Sequence, residues 1–144
     1  VWWNRDISCE NRQGFRDDRL MRVLLDTHVL LWATSGATDK ETAREIVSSK
    51  DNIVVVSVVS LWELSIKASL GKLELTSDFF ATFPSYGIEV LPITLAHVDA
   101  LRVLPWHHRD PFDRMLVAQA QVEQLTLVTR DENISRYNVS VLRA

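Results

Sequence analysis

The chain has 144 residues, 47% of them hydrophobic, which predicts one domain with one hydrophobic core. Its formal net charge of −3 argues against a broadly basic nucleic-acid-binding surface, although a local basic rim around an acidic pocket remains compatible with it. The one cysteine, Cys9, excludes an internal disulfide framework and a cysteine-rich zinc site, and no apolar run approaches the roughly 18 residues that span a membrane, so we expect a cytoplasmic protein.

The first twenty residues show neither helical nor strand periodicity, and they carry Trp2, Trp3 and the cysteine. A buried-strand pattern begins directly after Met21. We therefore predict two parts. Residues 1–20 are an N-terminal extension produced by upstream in-frame read-through, and residues 21–144 are the folded domain. The alternative is a genuine arm that docks on a partner through its two tryptophans.

Strand-like and helical segments alternate along the rest of the chain. Short runs rich in valine, leucine and isoleucine predict strands at 23–25, 53–56, 88–91 and 125–129, with an edge strand at 139–142. Helical patterns fall between them, at 27–33, 38–49, 58–70, 76–83, 94–101 and 110–124. This alternation predicts an α/β fold around a parallel sheet.

Several helix ends carry recognisable capping signals. Asp26, Ser57 and Asp110 stand immediately before predicted helices, where a short polar side chain caps the first turn, and Pro111 suits the first helical position. Thr38–Glu41 has the spacing of a capping box. Gly36 is expected to end the first helix.

Four acidic residues fall at junctions between these elements. Asp26 ends the first strand, and Asp131 lies just beyond the fourth. Glu63 lies about two turns into the helix after the second strand, and Asp113 lies in the first turn of the helix before the fourth strand. Because ligand sites in open parallel sheets lie at the carboxyl ends of the strands, we expect all four side chains at one rim.

Each acid also has an ordinary structural explanation. Asp26 can serve only as a helix cap, and Asp113 can reach back to the cap at Asp110. Glu63 can pair with a lysine four residues later, and Asp131 can be a turn residue. Four crowded carboxylates, however, repel one another unless a cation lies between them. Oxygen ligands without cysteine indicate Mg²⁺ or Mn²⁺ rather than zinc.

A divalent metal held by carboxylates is suited to hydrolysing phosphodiester bonds. Basic residues close in sequence to the acids are candidates for holding a polynucleotide backbone: Lys67, Arg109, Arg114, Arg130 and Arg136. The simpler interpretation pairs Arg109 and Arg114 with Asp113 and Asp110 along the helix. His28 is interpreted as a half-buried helix residue or a group behind Asp26. His107 and His108 are interpreted as residues of a solvated loop, with contact to substrate as the alternative.

Four segments together resemble a known family. They are LLDTH at 24–28, SVVSLWEL at 57–64, DPFDRMLVAQA at 110–120 and LVTRD at 127–131. These segments, in this order and spacing, are similar to the four signatures of PIN-domain ribonucleases, and more narrowly to VapC-type toxins of type II toxin–antitoxin systems. The resemblance covers residues 21–142.

The resemblance implies a flavodoxin-like, three-layer α/β/α sandwich with a central parallel sheet, and an Mg²⁺-dependent endoribonuclease. Asp26, Glu63, Asp113 and Asp131 match the acidic quartet that binds the metal and carries catalysis, with Asp110 more peripheral. The resemblance also implies an RNA substrate, a homodimer, and a cognate antitoxin whose C-terminal segment covers the groove and blocks the site.

Three other functions remain open at this point. One is a catalytically silent PIN fold that only binds a partner. A haloacid-dehalogenase-like phosphatase also places an aspartate after its first strand, but it needs a second acid two residues on, where this chain has His28. A receiver domain usually has paired acids at the first strand end and a lysine after the last, and neither is evident.

Overall fold

A five-stranded parallel sheet forms the centre of the structure, a computed structural model that describes residues 2–3 and 20–144. The strands are β1 (Met21–Leu25), β2 (Asn52–Ser57), β3 (Glu89–Leu91), β4 (Thr126–Thr129) and β5 (Ser140–Arg143). Their order across the sheet is β3-β2-β1-β4-β5, and every neighbouring pair is parallel. All five predicted strands are therefore present.

Within the described part of the chain, six α-helices connect or flank these strands. They are α1 (Thr27–Ser35), α2 (Glu41–Ser48), α3 (Val58–Ser69), α4 (Phe79–Thr82), α5 (Leu95–Leu101) and α6 (Pro111–Glu123). Short 3-10 turns occupy Phe83–Tyr86 and Ile134–Arg136. Within residues 2–3 and 20–144, none of the helices has the length and apolarity needed to cross a membrane.

The central strands are buried on both faces because helices cover each side of the sheet. Along β1, Val23 and Leu25 pack into one core cluster with residues of α1 and α2, whereas Leu24 packs into a second cluster with residues of α6. This alternation follows from the two-residue period of a strand. The predicted three-layer α/β/α sandwich is confirmed.

Local capping signals identified some helix starts correctly. Ser57 caps α3, its hydroxyl accepting a hydrogen bond from the Val59 N–H at 3.0 Å. Gly36 ends α1 in the left-handed conformation, φ 70°. The predicted capping box at Thr38–Glu41 was wrong: Thr38 lies in a turn, and α2 begins at Glu41 without a side-chain cap.

Trp2 and Trp3 pack against the domain itself. The Trp2 N–H donates to the Ala33 carbonyl at 3.2 Å, and the Trp3 ring lies 5.9 Å from Phe83 and 5.6 Å from Tyr86 between centroids. Trp3 is only 2% exposed. The predicted extension at 1–20 otherwise lies outside the described residues, at 1 and 4–19, and its origin stays a prediction.

Candidate metal centre

The strand order reverses at β1, which creates the crevice where the acids meet. The chain moves outward from β1 to β2 and β3, then returns to place β4 on the other side of β1. Asp26 follows β1 directly, and its N–H continues the ladder to the Val128 carbonyl at 3.1 Å. Asp131 lies two residues past β4. Such a switch point is the usual place for a ligand in an open parallel sheet.

Asp26 combines a capping role with a place in the crevice. One carboxylate oxygen accepts the Val29 N–H at 2.8 Å and caps α1, and the other accepts the Thr129 hydroxyl. Burial is the main reason that the pKa of Asp26 is raised, and the negative charge of Asp131 adds to it. The hydrogen bonds from Thr129 and Val29 and the charge of His28 oppose that rise in part. Capping and clustering are therefore both present at this residue.

Glu63 reaches the same rim from α3. Its Oε2 accepts a hydrogen bond from the Thr27 hydroxyl at 2.7 Å, and its Oε1 lies 3.1 Å from Lys67 Nζ. The helical ion pair considered for Glu63 is thus formed. It does not withdraw Glu63 from the crevice, because Thr27 is the neighbour of Asp26 and ties the two elements together.

The start of α6 separates the roles of its two aspartates. Asp110 is the cap: one of its oxygens accepts the N–H groups of Phe112 and Asp113, at 2.8 and 3.2 Å. The Asp113 carboxylate makes no such capping bond and lies 3.2 Å from His108 Nε2. The proline at the first helical position and the cap at Asp110 leave Asp113 available for the crevice.

The electrostatic setting of Asp113 is the most perturbed feature of the centre. Burial, followed by the negative charge of Asp110 and then those of Glu63 and Asp26, raises the pKa of Asp113 to about 7. His108 is the one group that opposes this rise. Carboxylates whose pKa is raised by burial and by nearby negative charges are common in functional sites.

Asp131 enters the centre through the loop after β4. Its Oδ1 accepts the Asn133 N–H at 2.8 Å in a tight turn, so the predicted turn role is present too. Its Oδ2 receives a hydrogen bond from His108 Nε2 at 2.7 Å, and its own N–H donates to the Thr129 hydroxyl at 3.0 Å.

His108 is the residue that sequence reasoning missed. It was assigned to a solvated loop, but its side chain is 15% exposed and bridges Asp113 and Asp131. The contact to Asp131 spans 23 residues of sequence, and no local spacing signals it.

The donor set fits a hard divalent cation. In the described part of the chain, His108, Asp113 and Asp131 offer potential ligand atoms within 4.8 Å of one another, a group that does not include Asp26 or Glu63. These two acids are nevertheless close enough that their charges raise the pKa of Asp113. Carboxylate oxygens are the preferred ligands of Mg²⁺ and Mn²⁺, and a cation would offset the repulsion among them.

The basic residues close in sequence to the acids have different surroundings. Arg114 is buried, donates to the carbonyls of Pro105 and Leu104 at 2.8 and 3.2 Å, and stacks on Trp106. It therefore braces a loop, and its predicted pairing with Asp110 was wrong. Arg109 and Arg136 are exposed.

The sequence was compared with models of protein families and with curated protein sequences. The sequence model of the PIN domain matches residues 23–139. A search of curated protein sequences gave no significant match.

Solved structures share the fold at low sequence identity. VapBC2 from Rickettsia felis, bound to a promoter DNA fragment, is 17% identical with a TM-score of 0.66, covering 85% of this chain and 98% of that one. A toxin–antitoxin complex from Klebsiella pneumoniae is 16% identical with a TM-score of 0.60, covering 83% and 95%. VapBC-5 from Mycobacterium tuberculosis, a member of the VapBC family of toxin–antitoxin systems, is 21% identical with a TM-score of 0.52, covering 85% and 96%.

Proposed function

The chain belongs to the PIN domain family, and from that premise we propose that it is a divalent-metal-dependent endoribonuclease, the toxin of a type II toxin–antitoxin pair. PIN domains are generally nucleases. The observation that carries the proposal is the convergence of Asp26, Glu63, Asp113 and Asp131 on the crevice beside β1 and β4, where burial, followed by the charges of neighbouring acids, raises the pKa of Asp113 to about 7.

In the proposed centre, Asp113 and Asp131 hold Mg²⁺ or Mn²⁺, with Asp26 and Glu63 completing the site directly or through water. When bound, such an ion activates water and neutralises charge on the phosphodiester. The protein's own contribution is orientation. The Thr129 hydroxyl and Val29 N–H fix the Asp26 carboxylate, and the Thr27 hydroxyl fixes Glu63. Preorganised ligands of this kind avoid a reorganisation cost at the moment of reaction.

RNA is the proposed substrate on the strength of the four family signatures. Arg109 and Arg136 are exposed and lie close in sequence to the acids, and they suit contacts to phosphate oxygens, which hold a polynucleotide without reading its sequence. Arg114 is excluded from that role because its guanidinium is engaged with backbone carbonyls.

A homodimer is the proposed assembly. Large apolar side chains are exposed on α3, on α5 and in the loop after α5: Val58, Trp62, Ile66, Leu95, Val98, Val103 and Trp106. Large exposed apolar side chains of this kind are typical of protein–protein interfaces. Sedimentation velocity of the wild type and of Leu95→Asp tests this assembly. We expect a dimer that the variant weakens, and a monomeric wild type would contradict it.

A cognate antitoxin is the second proposed partner. Of the solved structures that share this fold, one is described as a toxin–antitoxin complex and another as a member of the VapBC family of toxin–antitoxin systems. A mostly apolar cavity of about 590 Å³ between α1 and α4, lined by residues such as Leu31, Trp32, Leu75 and Phe79, offers a surface for an apolar segment of such a partner. None of the four acids lines this cavity. The antitoxin would therefore need a further segment to reach the crevice.

The direct test is cleavage of an end-labelled RNA pool by the purified protein. Reactions contain Mg²⁺ or Mn²⁺, or EDTA, and are repeated with Asp113→Asn. Asp51→Asn is the matched control, because Asp51 is an exposed residue at the opposite, amino-terminal end of β2. We expect metal-dependent cutting by the wild type and the control, at least a hundredfold slower with Asp113→Asn.

Other outcomes separate the alternatives. Cutting at an undiminished rate by Asp113→Asn would contradict the proposed centre. No cutting of RNA, together with hydrolysis of a small phosphomonoester, would favour the phosphatase. No hydrolysis of either substrate by metal-loaded, antitoxin-free protein would favour a silent binding module.

A further inference from the structure

We propose that His108 is a positioning residue, which holds the carboxylates of Asp113 and Asp131 together through hydrogen bonds donated by its Nε2–H, and that it is not itself a metal ligand. The inference rests on the proposed function only in treating these two acids as ligands. His108 Nε2 lies 2.7 Å from Asp131 Oδ2 and 3.2 Å from Asp113 Oδ2. One ring nitrogen therefore bridges two carboxylates that come from different elements, α6 and the loop after β4.

The other ring nitrogen determines which atom carries the proton. The backbone N–H of Asp110 points at His108 Nδ1 with an N···N distance of 3.1 Å. A backbone N–H can only donate, so Nδ1 is the acceptor and carries no proton. In a neutral imidazole the proton then resides on Nε2. The nitrogen that faces the two carboxylates is a donor and has no lone pair to offer an ion.

The ring is held in this orientation by its surroundings. The His108 backbone N–H donates to the Tyr137 hydroxyl at 2.9 Å, and Tyr137 is buried. Arg114 fixes the preceding loop through the carbonyls of Leu104 and Pro105 and also approaches the Tyr137 hydroxyl, at 3.4 Å. The bridging donor is therefore preorganised, with its position set by a buried network and by the cap of α6.

The hydrogen bonds from His108 leave both carboxylates able to bind a cation. An ionised carboxylate has about four lone-pair positions, and His108 uses one on each acid. Hydrogen bonds to metal-binding carboxylates orient them, and losing such a bond typically costs 10–100-fold in metal affinity. His108 thus keeps two mutually repelling acids at one place before an ion arrives.

The first test reads the proton directly on the metal-free wild type. Long-range ¹H–¹⁵N correlation spectra of histidine-labelled protein, at about pH 8, report which nitrogen of each neutral ring is protonated, and His108→Asn assigns the signal. We expect the Nε2–H form at His108. The Nδ1–H form would overturn the proposal, whatever the protein does to RNA.

The second test uses Mn²⁺ as the probe. Electron spin-echo spectra of the Mn²⁺-loaded protein should lack the modulation of a directly bound imidazole nitrogen, and its presence would overturn the proposal. In calorimetric titrations, His108→Leu should bind Mn²⁺ 10–100-fold more weakly, whereas His108→Gln, which keeps an N–H donor, should recover part of the loss.

His107→Gln is the matched control, because its ring contacts Tyr137 edge-on and makes none of the described hydrogen bonds to the acids. If His107→Gln loses as much Mn²⁺ affinity as His108→Leu, the effect belongs to the loop as a whole, which would contradict the positioning role of His108. Failure of the proposed function gives a different result. If the wild type binds no Mn²⁺, the proposed metal centre is contradicted, and the positioning role of His108 is contradicted with it.

Discussion

Replacing Asp113 by asparagine should stabilise the metal-free protein while destroying its metal site. In the folded protein the pKa of Asp113 is about 7, against 3.8 in the unfolded chain. The folded state therefore binds this proton more tightly. The contribution of Asp113 to the free energy of unfolding is greatest below about pH 4 and is lost as the pH rises to about 7. Asparagine does not titrate, so the free energy of unfolding of Asp113→Asn should rise relative to that of the wild type over the same pH range.

The magnitude follows from the shift and from the exposure of the side chain. A rise of about three pKa units corresponds to roughly 4 kcal/mol as an upper bound. The Asp113 side chain is 21% exposed, so water screens part of this cost and about 1–2 kcal/mol is expected above pH 7. For a domain of this size, that is roughly 3–6 °C in Tm.

Urea denaturation in EDTA, at several pH values from about 4 to 8, measures the effect. Asp113→Asn should match the wild type near pH 4 and exceed it at pH 8, with Asp51→Asn as the control. Saturating Mg²⁺ should then stabilise the wild type by mass action and leave Asp113→Asn unchanged. A variant less stable than the wild type at pH 8 in EDTA would refute the reasoning.

Three further predictions concern the same centre and the core beside it. Mn²⁺ affinity, measured by calorimetry, should fall up to about tenfold per pH unit below pH 7, because protons compete for Asp113; a constant affinity between pH 6 and 8 would contradict this. Asp110→Ala should lose about 1 kcal/mol in urea denaturation and Asp110→Asn far less, since asparagine caps helices equally well; equal losses would show that the cap is not what Asp110 contributes. Trp3→Ala should lower the free energy of unfolding by about 3 kcal/mol, whereas Trp106→Ala, at an exposed position, should lower it by about 1 kcal/mol or less. Similar losses for the two variants would mean that Trp3 is not held in the core in solution.

The features that could be predicted from the sequence are those that short-range chemistry dictates. Runs of β-branched residues predicted the buried strands, and a left-handed glycine and the Ser57 hydroxyl marked helix ends. The meeting of four acids at one rim followed from a topological rule, since carboxyl ends of parallel strands share an edge. That rule needs the strands to be parallel, and they are.

The features that escaped prediction depend on contacts between distant parts of the chain. The bond from His108 to Asp131 joins residues 23 apart, and the preceding loop is shaped by Arg114 reaching carbonyls nine and ten positions back. Arginine near an acidic motif suggested ion pairing, but burial favoured backbone carbonyls as its partners instead. Trp3 likewise reached the core through Phe83 and Tyr86, some 80 residues away.

The most direct measurement of the central claim is metal rescue of RNA cleavage. A substrate carries one sulfur in place of a non-bridging oxygen at a cut site mapped in the RNA pool. If a metal held by Asp113 and its neighbours contacts that oxygen, cleavage should be strongly slowed in Mg²⁺ and restored in Mn²⁺, which accepts sulfur more readily. Cleavage that proceeds equally with sulfur and oxygen in Mg²⁺, or that continues in EDTA, would contradict a metal-dependent ribonuclease.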